Sequence, residues 1–263
     1  MRAEHSFSAY ERRAASAKPS LVGRLWRRLS RRAHIAYVSY LDYRFDRAHD
    51  VDTRGFIELS RLPFRSETKH LGFAYGPSSP RVLKSAMAKL SACLETVTFI
   101  DFGSGKGRVL LLASEYGFNS IRGVEVSPEL HAIAVRNIAK YESSRQQCRD
   151  VSSTNADACS FAIPDGDCVL FFFCPFQKEI LASELGNLVD SLRRNPRRVF
   201  IIYYNPVFSD TVESLACFEL VTRYRLAARH VLTAPYDIAI YRSSLEASKH
   251  GMSERSAHPE RAQ

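Results

Sequence analysis

From about residue 97 to residue 242, short apolar runs alternate with amphipathic stretches. Short apolar runs bounded by turn residues predict strands, whereas apolar positions repeating every three to four residues predict helices. Seven strands are predicted, at 97–102, 121–126, 149–155, 168–173, 198–204, 218–226 and 236–242. Helices are predicted between the earlier strands, at 108–116, at about 128–141 and at 178–194.

This alternation predicts an α/β domain, in which a mostly parallel sheet carries helices on both faces. The run 168–173 is apolar throughout, as expected of a strand covered on both sides. The run 149–155 is a weaker strand candidate. The last two strands have no obvious helix between them, and so short a connection predicts an antiparallel terminal hairpin.

The N-terminal part of the chain predicts a helical extension. Leu21, Leu25, Trp26 and Leu29 share one helical face, and a second helical stretch covers about residues 35–47. Glycines and prolines punctuate residues 50–80, and a helix is predicted at 81–94, opened by Pro80. We therefore divide the chain into a flexible or helical basic extension (1–50), a lead-in segment (51–95), the α/β domain (96–243) and a disordered tail (244–263).

The positive charge is concentrated in the extension. Residues 1–33 carry nine basic and two acidic side chains, which is +7 of the formal net charge of +9. The basic helix 21–32 is compatible with an anionic membrane surface, nucleic-acid phosphates or an acidic protein as partner. The alternative is a helix packed on the domain with solvated arginines. The nearly neutral remainder gives no such indication of an anionic partner.

The cysteines and the apolar runs indicate the compartment. The six cysteines form no C-x-x-C pair and no cluster with zinc-ligand spacing, so we expect reduced thiols without a disulfide partner, and no metal. The first 30 residues contain no apolar stretch typical of a secretory signal. A cytoplasmic protein is the expectation, and the oligomeric state is not determined by the sequence.

A glycine-rich turn, Asp101-Phe102-Gly103-Ser104-Gly105-Lys106-Gly107, follows the first predicted strand and opens a helix. Glycines at such a turn let the backbone approach a ligand closely. A nucleotide P-loop needs G-x-x-x-x-G-K-[ST], which this turn does not satisfy. The dinucleotide pattern G-x-G-x-x-G fits poorly, because the third glycine comes one residue early.

The remaining pattern, D-x-G-x-G-x-G, resembles motif I of the class I S-adenosylmethionine-dependent methyltransferases. Glu125 lies 18 residues after Gly107, at the end of the second strand, where the family carries an acidic ligand of the ribose hydroxyls. Asp157 matches the acid that the family often places near the adenine amino group. Seven strands ending in a hairpin also match the family's sheet, and the resemblance covers about 97–242.

This resemblance implies S-adenosylmethionine as cofactor. The residues that it assigns to cofactor binding are Asp101, Phe102, Gly103, Ser104, Gly105, Gly107, Glu125, Val126, Asp157, Ala158 and, from the upstream segment, Tyr75. Lys106 and Arg108 either face the ligand carboxylate or simply open the helix.

For the methyl acceptor, amine-modifying members of the family often carry Asn-Pro-Phe after the fourth strand. This chain has Cys174-Pro175-Phe176 there, and a thiol is a weak hydrogen-bond acceptor. Tyr204 and Asn205, after the fifth strand, are further acceptor-pocket candidates. The segment Tyr75–Pro80 resembles one that folds over the cofactor in Dot1-like lysine methyltransferases. Proline turns with packed tyrosines are the alternative interpretation of both.

These features together predict a methyltransferase that uses direct in-line displacement, with a protein amine or a small molecule as its unidentified acceptor. A protein-lysine or other amine N-methyltransferase is the alternative within the enzymes. From a different class, Cys174 leaves open a catalytically silent module that binds nucleic acid through the basic extension. A nicotinamide-dependent oxidoreductase is disfavoured by the early third glycine.

Overall fold

The computed structural model of the chain describes residues 21–58, 75–90, 93–173, 177–226 and 236–244, and within these a seven-stranded sheet forms the centre. The strands are β1 (Thr98–Phe102), β2 (Ser120–Glu125), β3 (Val151–Asn155), β4 (Cys168–Phe173), β5 (Val199–Tyr204), β6 (Phe218–Arg225) and β7 (Asp237–Ser243). Their order is β3-β2-β1-β4-β5-β7-β6. Strand β7 is antiparallel to β5 and β6, whereas the other neighbours are parallel. The predicted mostly parallel sheet with its antiparallel terminal hairpin is confirmed.

The helices are α1 (Leu21–His49), α2 (Pro80–Met87), α3 (Arg108–Ala113), α4 (Pro128–Lys140), α5 (Lys178–Arg194) and α6 (Ser209–Glu213). Sequence analysis predicted α4 and α5 correctly, but α2 and α3 are shorter than expected because turns follow at Ala88 and Ser114. The two separate stretches expected before residue 50 are wrong, since one continuous helix covers both. No glycine or proline interrupts the chain between them. Helix α6 was missed.

The sheet separates two apolar cores, because successive side chains of a strand point to opposite faces. Phe99 and Phe171 lie in the core under α2 and α3. Ile100 and Leu170 lie in the other core, against Leu185 and its neighbours on α5. All of β5 is buried, whereas the edge strand β3 is half-buried or exposed. That exposure explains why the polar sequence of β3 gave only a weak strand signal.

The carboxyl ends of the parallel strands lie together at one edge of the sheet. The parallel strands β1, β2, β4 and β5 all end at this edge, and β7 begins there. The chain order reverses at β1, which lies between β2 and β4. In open α/β sheets, ligands bind in the crevice outside the strand ends at such a switch point.

Helix α1 contacts the domain through its second half. Every side chain that the structure describes between residues 29 and 37 is exposed, whereas Asp46 is buried and Phe45 packs against the core. The alternative of a packed helix was stated for residues 21–32, and it stays a prediction, because most side chains of that stretch lie outside the described residues. Across the described residues, no helix has the length and apolar character needed to span a bilayer.

The structure also buries an acid on the side of the sheet covered by α5. Glu184 is only 1% exposed, and neither of its carboxyl oxygens has a hydrogen-bond partner among the described residues. Burial, reinforced by the nearby charge of Asp157, raises the pKa of Glu184 to about 8. The unfolded chain releases this proton at a lower pH than the folded chain. The free energy of unfolding therefore falls as pH rises toward about 8.

We expect Glu184→Leu to raise the free energy of unfolding by roughly 1–3 kcal/mol at pH 9, because it removes an unpaired buried carboxylate. The gain should shrink at pH 5, where the native carboxyl is protonated. Urea denaturation at the two pH values measures this. Glu179→Leu, at an exposed position of the same helix, is the matched control. Equal gains for Glu184→Leu at both pH values would contradict the assignment.

Candidate active site at the carboxyl edge of the sheet

A turn of three left-handed glycines connects β1 to α3. Gly103, Gly105 and Gly107 have φ values of 76°, 54° and 86°. Residues other than glycine rarely adopt this backbone conformation, because their Cβ atom collides with the backbone. The amides of Gly103 and Ser104 both donate to the carbonyl of Val124, which ties the turn to the end of β2. The predicted glycine turn is therefore a closely built loop in the crevice.

The carboxylate of Glu125 holds this loop from the neighbouring strand. Its Oε2 accepts a hydrogen bond from the amide of Gly105, and its Oε1 accepts one from the amide of Ser127, each at 2.8 Å. Burial raises the pKa of Glu125 above its usual range, although the backbone hydrogen bonds counteract this. Glu125, the acid predicted to bind the ribose, thus lies directly beside the glycine loop.

Two further polar groups of the loop are buried. Asp101, near the end of β1, is 2% exposed. Burial, followed by the charge of Glu125, raises the pKa of Asp101 well above its usual range. The hydroxyl of Ser104 is also buried, and it has no hydrogen-bond partner among the described residues. Such groups are costly unless something else satisfies them.

Lys106 and Arg108 form hydrogen bonds and ion pairs with the N-terminal segment. The sequence alone did not decide whether they face a ligand or only open the helix. The Nζ of Lys106 lies 2.9 Å from both Asp52 Oδ1 and the carbonyl oxygen of Arg54. Arg108 is 2% exposed, and its guanidinium pairs with Asp42 and Asp46 and lies over Phe45. Its Nε also donates to the hydroxyl of Thr53 at 2.6 Å. Lys106 is therefore bound to the lead-in segment, and Arg108 to both the extension and the lead-in segment.

Tyr75 covers the middle of the glycine loop. A Cβ added to Gly105 would lie only 2.3 Å from Cε2 of the Tyr75 ring, so the ring rests against the glycine. The Tyr75 hydroxyl donates to the carbonyl of Thr53 at 2.5 Å, and its backbone pairs with Ile57 in an antiparallel bridge. This upstream segment therefore lies against the glycine loop, and its contact with a cofactor stays a prediction.

The remaining predicted cofactor residues have mixed environments. The carboxylate of Asp157 accepts a hydrogen bond from the amide of Cys159 and begins a short 3-10 turn, Ala158–Ser160. Ala158 is buried in the core, and the carbonyl of Val126 accepts from Asn155. Phe102 is fully buried and stacked on Phe172 at 5.2 Å, so its side chain belongs to the core beneath the loop.

On the acceptor side, Cys174, Pro175 and Phe176 lie outside the described residues. Tyr204, at the end of β5, is buried in an aromatic cluster with Phe173 and Tyr236. Ring centroids are 4.4 Å apart for Phe173–Tyr204 and 5.6 Å apart for Tyr204–Tyr236. Asn205 follows in a left-handed conformation with φ of 55°, and its amide donates to the carbonyl of Asp237.

Strand order, strand directions and the loop after β1 together match the architecture expected from the sequence. The chain has the class I methyltransferase fold. No protein-family model matches the sequence, and no curated protein matches it.

The solved structures that resemble the chain share little sequence with it. Ribosomal protein L11 methylase from Lactobacillus delbrueckii subsp. bulgaricus is 16% identical, with a TM-score of 0.46 over 72% of this chain and 98% of that one. Magnesium protoporphyrin IX methyltransferase from Synechocystis PCC 6803, solved with bound SAM, is 13% identical, with a TM-score of 0.45 over 63% and 79%. A NADB-Rossmann superfamily protein from Streptococcus agalactiae is 15% identical, with a TM-score of 0.44 over 69% and 79%. These similarities identify neither a ligand nor an acceptor for this chain.

Sequence reasoning missed the residues that attach the extension to this site. Asp42 and Asp46 are spaced four residues apart on α1, which puts both on one helical face. Two acids at this spacing in an otherwise basic extension are a detectable signal. Their partner, Arg108, is the first residue of α3, 62 residues after Asp46, and could not be identified from spacing. Tyr236 was also missed as a member of the aromatic cluster.

The glycine loop yields a stability prediction. We expect Gly105→Ala to lower the free energy of unfolding by roughly 1–3 kcal/mol, because its φ is left-handed and its Cβ meets Tyr75. Gly186→Ala, within α5 and with no atom near the added Cβ, should instead raise it by roughly 0.5–1 kcal/mol. Chemical denaturation of both variants provides the measurement. Similar effects for both would contradict the described loop geometry.

Proposed function

We propose that this chain is a methyltransferase that uses S-adenosylmethionine as the methyl donor. The observation that carries the proposal is the left-handed glycine loop, held by Glu125 from the adjacent strand at the switch point of the sheet. An acid at the end of β2 is placed to bind the ribose hydroxyls of the donor. Each carboxylate oxygen of Glu125 accepts one backbone N–H and retains a further lone pair for a hydroxyl group.

The buried groups of the loop fit such a donor. Asp101 offers a buried carboxyl to an ammonium group, and the unpartnered Ser104 hydroxyl offers a hydrogen bond. An ammonium ion beside Asp101 would offset the cost of burying its charge. The carboxylate of Asp157, at the end of β3, lies in the loop where the donor's adenine is expected. Asp101, Ser104, Glu125 and Asp157 are thus the proposed polar contacts to the donor.

When bound, S-adenosylmethionine supplies a methyl group already activated by its sulfonium. The protein therefore needs to provide proximity, alignment and exclusion of water. The glycine loop and Glu125 would fix the donor, and the aromatic cluster of Phe173, Tyr204 and Tyr236 would line the acceptor side. An acceptor lone pair aligned opposite the sulfonium forms the new bond to carbon as the carbon–sulfur bond breaks. Aromatic rings favour flat acceptors and the positive charge that develops on an amine as it is methylated, so a protein amine or a small molecule fits this cluster.

Binding of S-adenosylhomocysteine tests the proposal directly. We expect micromolar affinity by calorimetry, no binding of NAD, and loss of binding in Gly103→Arg, which puts a long side chain into the loop. Glu125→Gln should weaken binding about tenfold or more, because its amide N–H groups oppose a backbone donor. Glu129→Gln, exposed on α4, should bind like the wild type. A well-folded wild-type protein that does not bind would overturn the proposal.

The raised pKa of Asp101 predicts a pH dependence of the same affinity. The charged carboxylate is the form that pairs with the ligand's ammonium, so affinity should rise with pH and level off above the pKa of Asp101. Glu125, whose pKa is also raised, contributes with the same sign. Asp101→Asn should flatten this rise while leaving the contribution of Glu125. A wild-type affinity that does not change with pH would contradict the role of Asp101.

Activity requires a separate experiment with a labelled methyl donor in a cell lysate. Transfer to a protein band indicates a protein amine acceptor, and transfer to the small-molecule fraction indicates a metabolite. Binding of S-adenosylhomocysteine without any transfer would favour the catalytically silent module.

A further inference from the structure

Arg108 is a buried cation at the N-terminal end of a helix, which is unfavourable for a positive charge. It is the first residue of α3, where the helix dipole disfavours positive charge, and it is only 2% exposed. Burying a guanidinium is costly unless it is paired and hydrogen-bonded. Asp42, Asp46 and Thr53 supply those partners, all from the N-terminal segment. A role in opening the helix therefore does not explain why an arginine is buried at position 108. Its bonds to the N-terminal segment do explain it.

Thr53 is the point at which this network is fixed. It is completely buried, and each of its polar groups has a partner. Its amide and hydroxyl donate to the carboxylate of Asp46, at 3.0 Å and 2.6 Å, and the hydroxyl also accepts from Arg108. Its carbonyl accepts the hydrogen bond from the hydroxyl of Tyr75. Thr53 thus connects the buried cation to the tyrosine that covers the glycine loop.

The contact between Tyr75 and Gly105 gives this connection a function. Gly105 is the residue whose amide binds Glu125, so the Tyr75 ring lies beside the proposed donor-binding carboxylate. Two backbone hydrogen bonds to Ile57, at 3.1 Å and 2.9 Å, and the bond to Thr53 hold the ring in place. A removable plug would be loosely attached, whereas Tyr75 is fixed at both its backbone and its hydroxyl.

We propose that Asp46, Thr53 and Arg108 are positioning residues that fix Tyr75 over Gly105 as a wall of the methyl-donor site. This inference rests on the proposed function, because it assigns the site to a donor. It makes the second half of α1 and the segment after it part of the donor site. The role does not require residues 21–37 of α1.

The test is calorimetric titration of the full-length chain with S-adenosylhomocysteine. We expect Tyr75→Ala and Asp46→Asn each to weaken binding by about tenfold to a hundredfold, the range for losing a buried aromatic contact. The double variant should bind no more weakly than the weaker single variant, because Asp46 acts through Tyr75. Asp50→Asn, which removes an exposed ion pair with Lys140 near the end of α1, is the control and should bind normally.

Thr53 variants keep the test decisive if Asp46→Asn does not fold. Thr53→Val removes the hydroxyl with little change of shape and should weaken binding, whereas Thr53→Ser retains the hydroxyl and should restore affinity. A purely structural role would lower the thermal midpoint of these variants and leave the affinity of the folded protein unchanged. That result would overturn the inference.

The remaining outcomes separate the two proposals. Tighter binding by Tyr75→Ala would identify the ring as a plug and refute the wall. Wild-type binding with additive losses in the double variant would refute positioning through Tyr75 and leave the methyl-donor site intact. Absence of wild-type binding would refute the proposed function itself.

Discussion

The turn from β1 into α3 leaves no room for a side chain at Gly105 or Gly107, and the surrounding elements pack into the space that these glycines leave free. The ring of Tyr75 fills the space beside Gly105, and Ala134 of α4 lies 3.2 Å from where a Cβ of Gly107 would be. Gly123 on β2 similarly leaves room for Ser104. Because interiors are closely packed, none of these neighbours can move independently of the loop. The loop thereby joins the sheet, α4 and the N-terminal segment into one structure.

The positions of the charged residues near the loop depend on its contacts with the N-terminal segment. Lys106 and Arg108 lie where α3 begins, and they are tolerated because carboxylates of the N-terminal segment reach them. The extension therefore has two different halves. Its first part carries the excess of basic residues, and its second part carries the acids that bind the domain. Net charge describes only the first of these halves.

Buried acids are the second recurring feature. Burial raises the pKa of Asp101, and the nearby charge of Glu125 adds to the shift. Glu184, on α5, is also buried, and the charge of Asp157 adds to the rise of its pKa. Perturbed acids cluster at functional sites, so Asp101 and Glu125 beside the glycine loop support a ligand site there. Structural ion-pair networks, by contrast, lie around Arg108.

The sequence by itself determined the order of strands and helices, the antiparallel hairpin and the glycine loop with Glu125. These are encoded locally, as apolar runs, helical periodicity and residues that only a tight left-handed turn requires. Contacts between residues distant in the chain were decided only by tertiary structure. Arg108 was ambiguous in sequence because its partners, Asp42, Asp46 and Thr53, lie more than 50 residues away. The aromatic cluster was hidden for the same reason, since Tyr236 reaches Tyr204 only after β7 pairs with β5. Spacing along a chain predicts periodic elements, but it contains no information on which buried charges and rings meet.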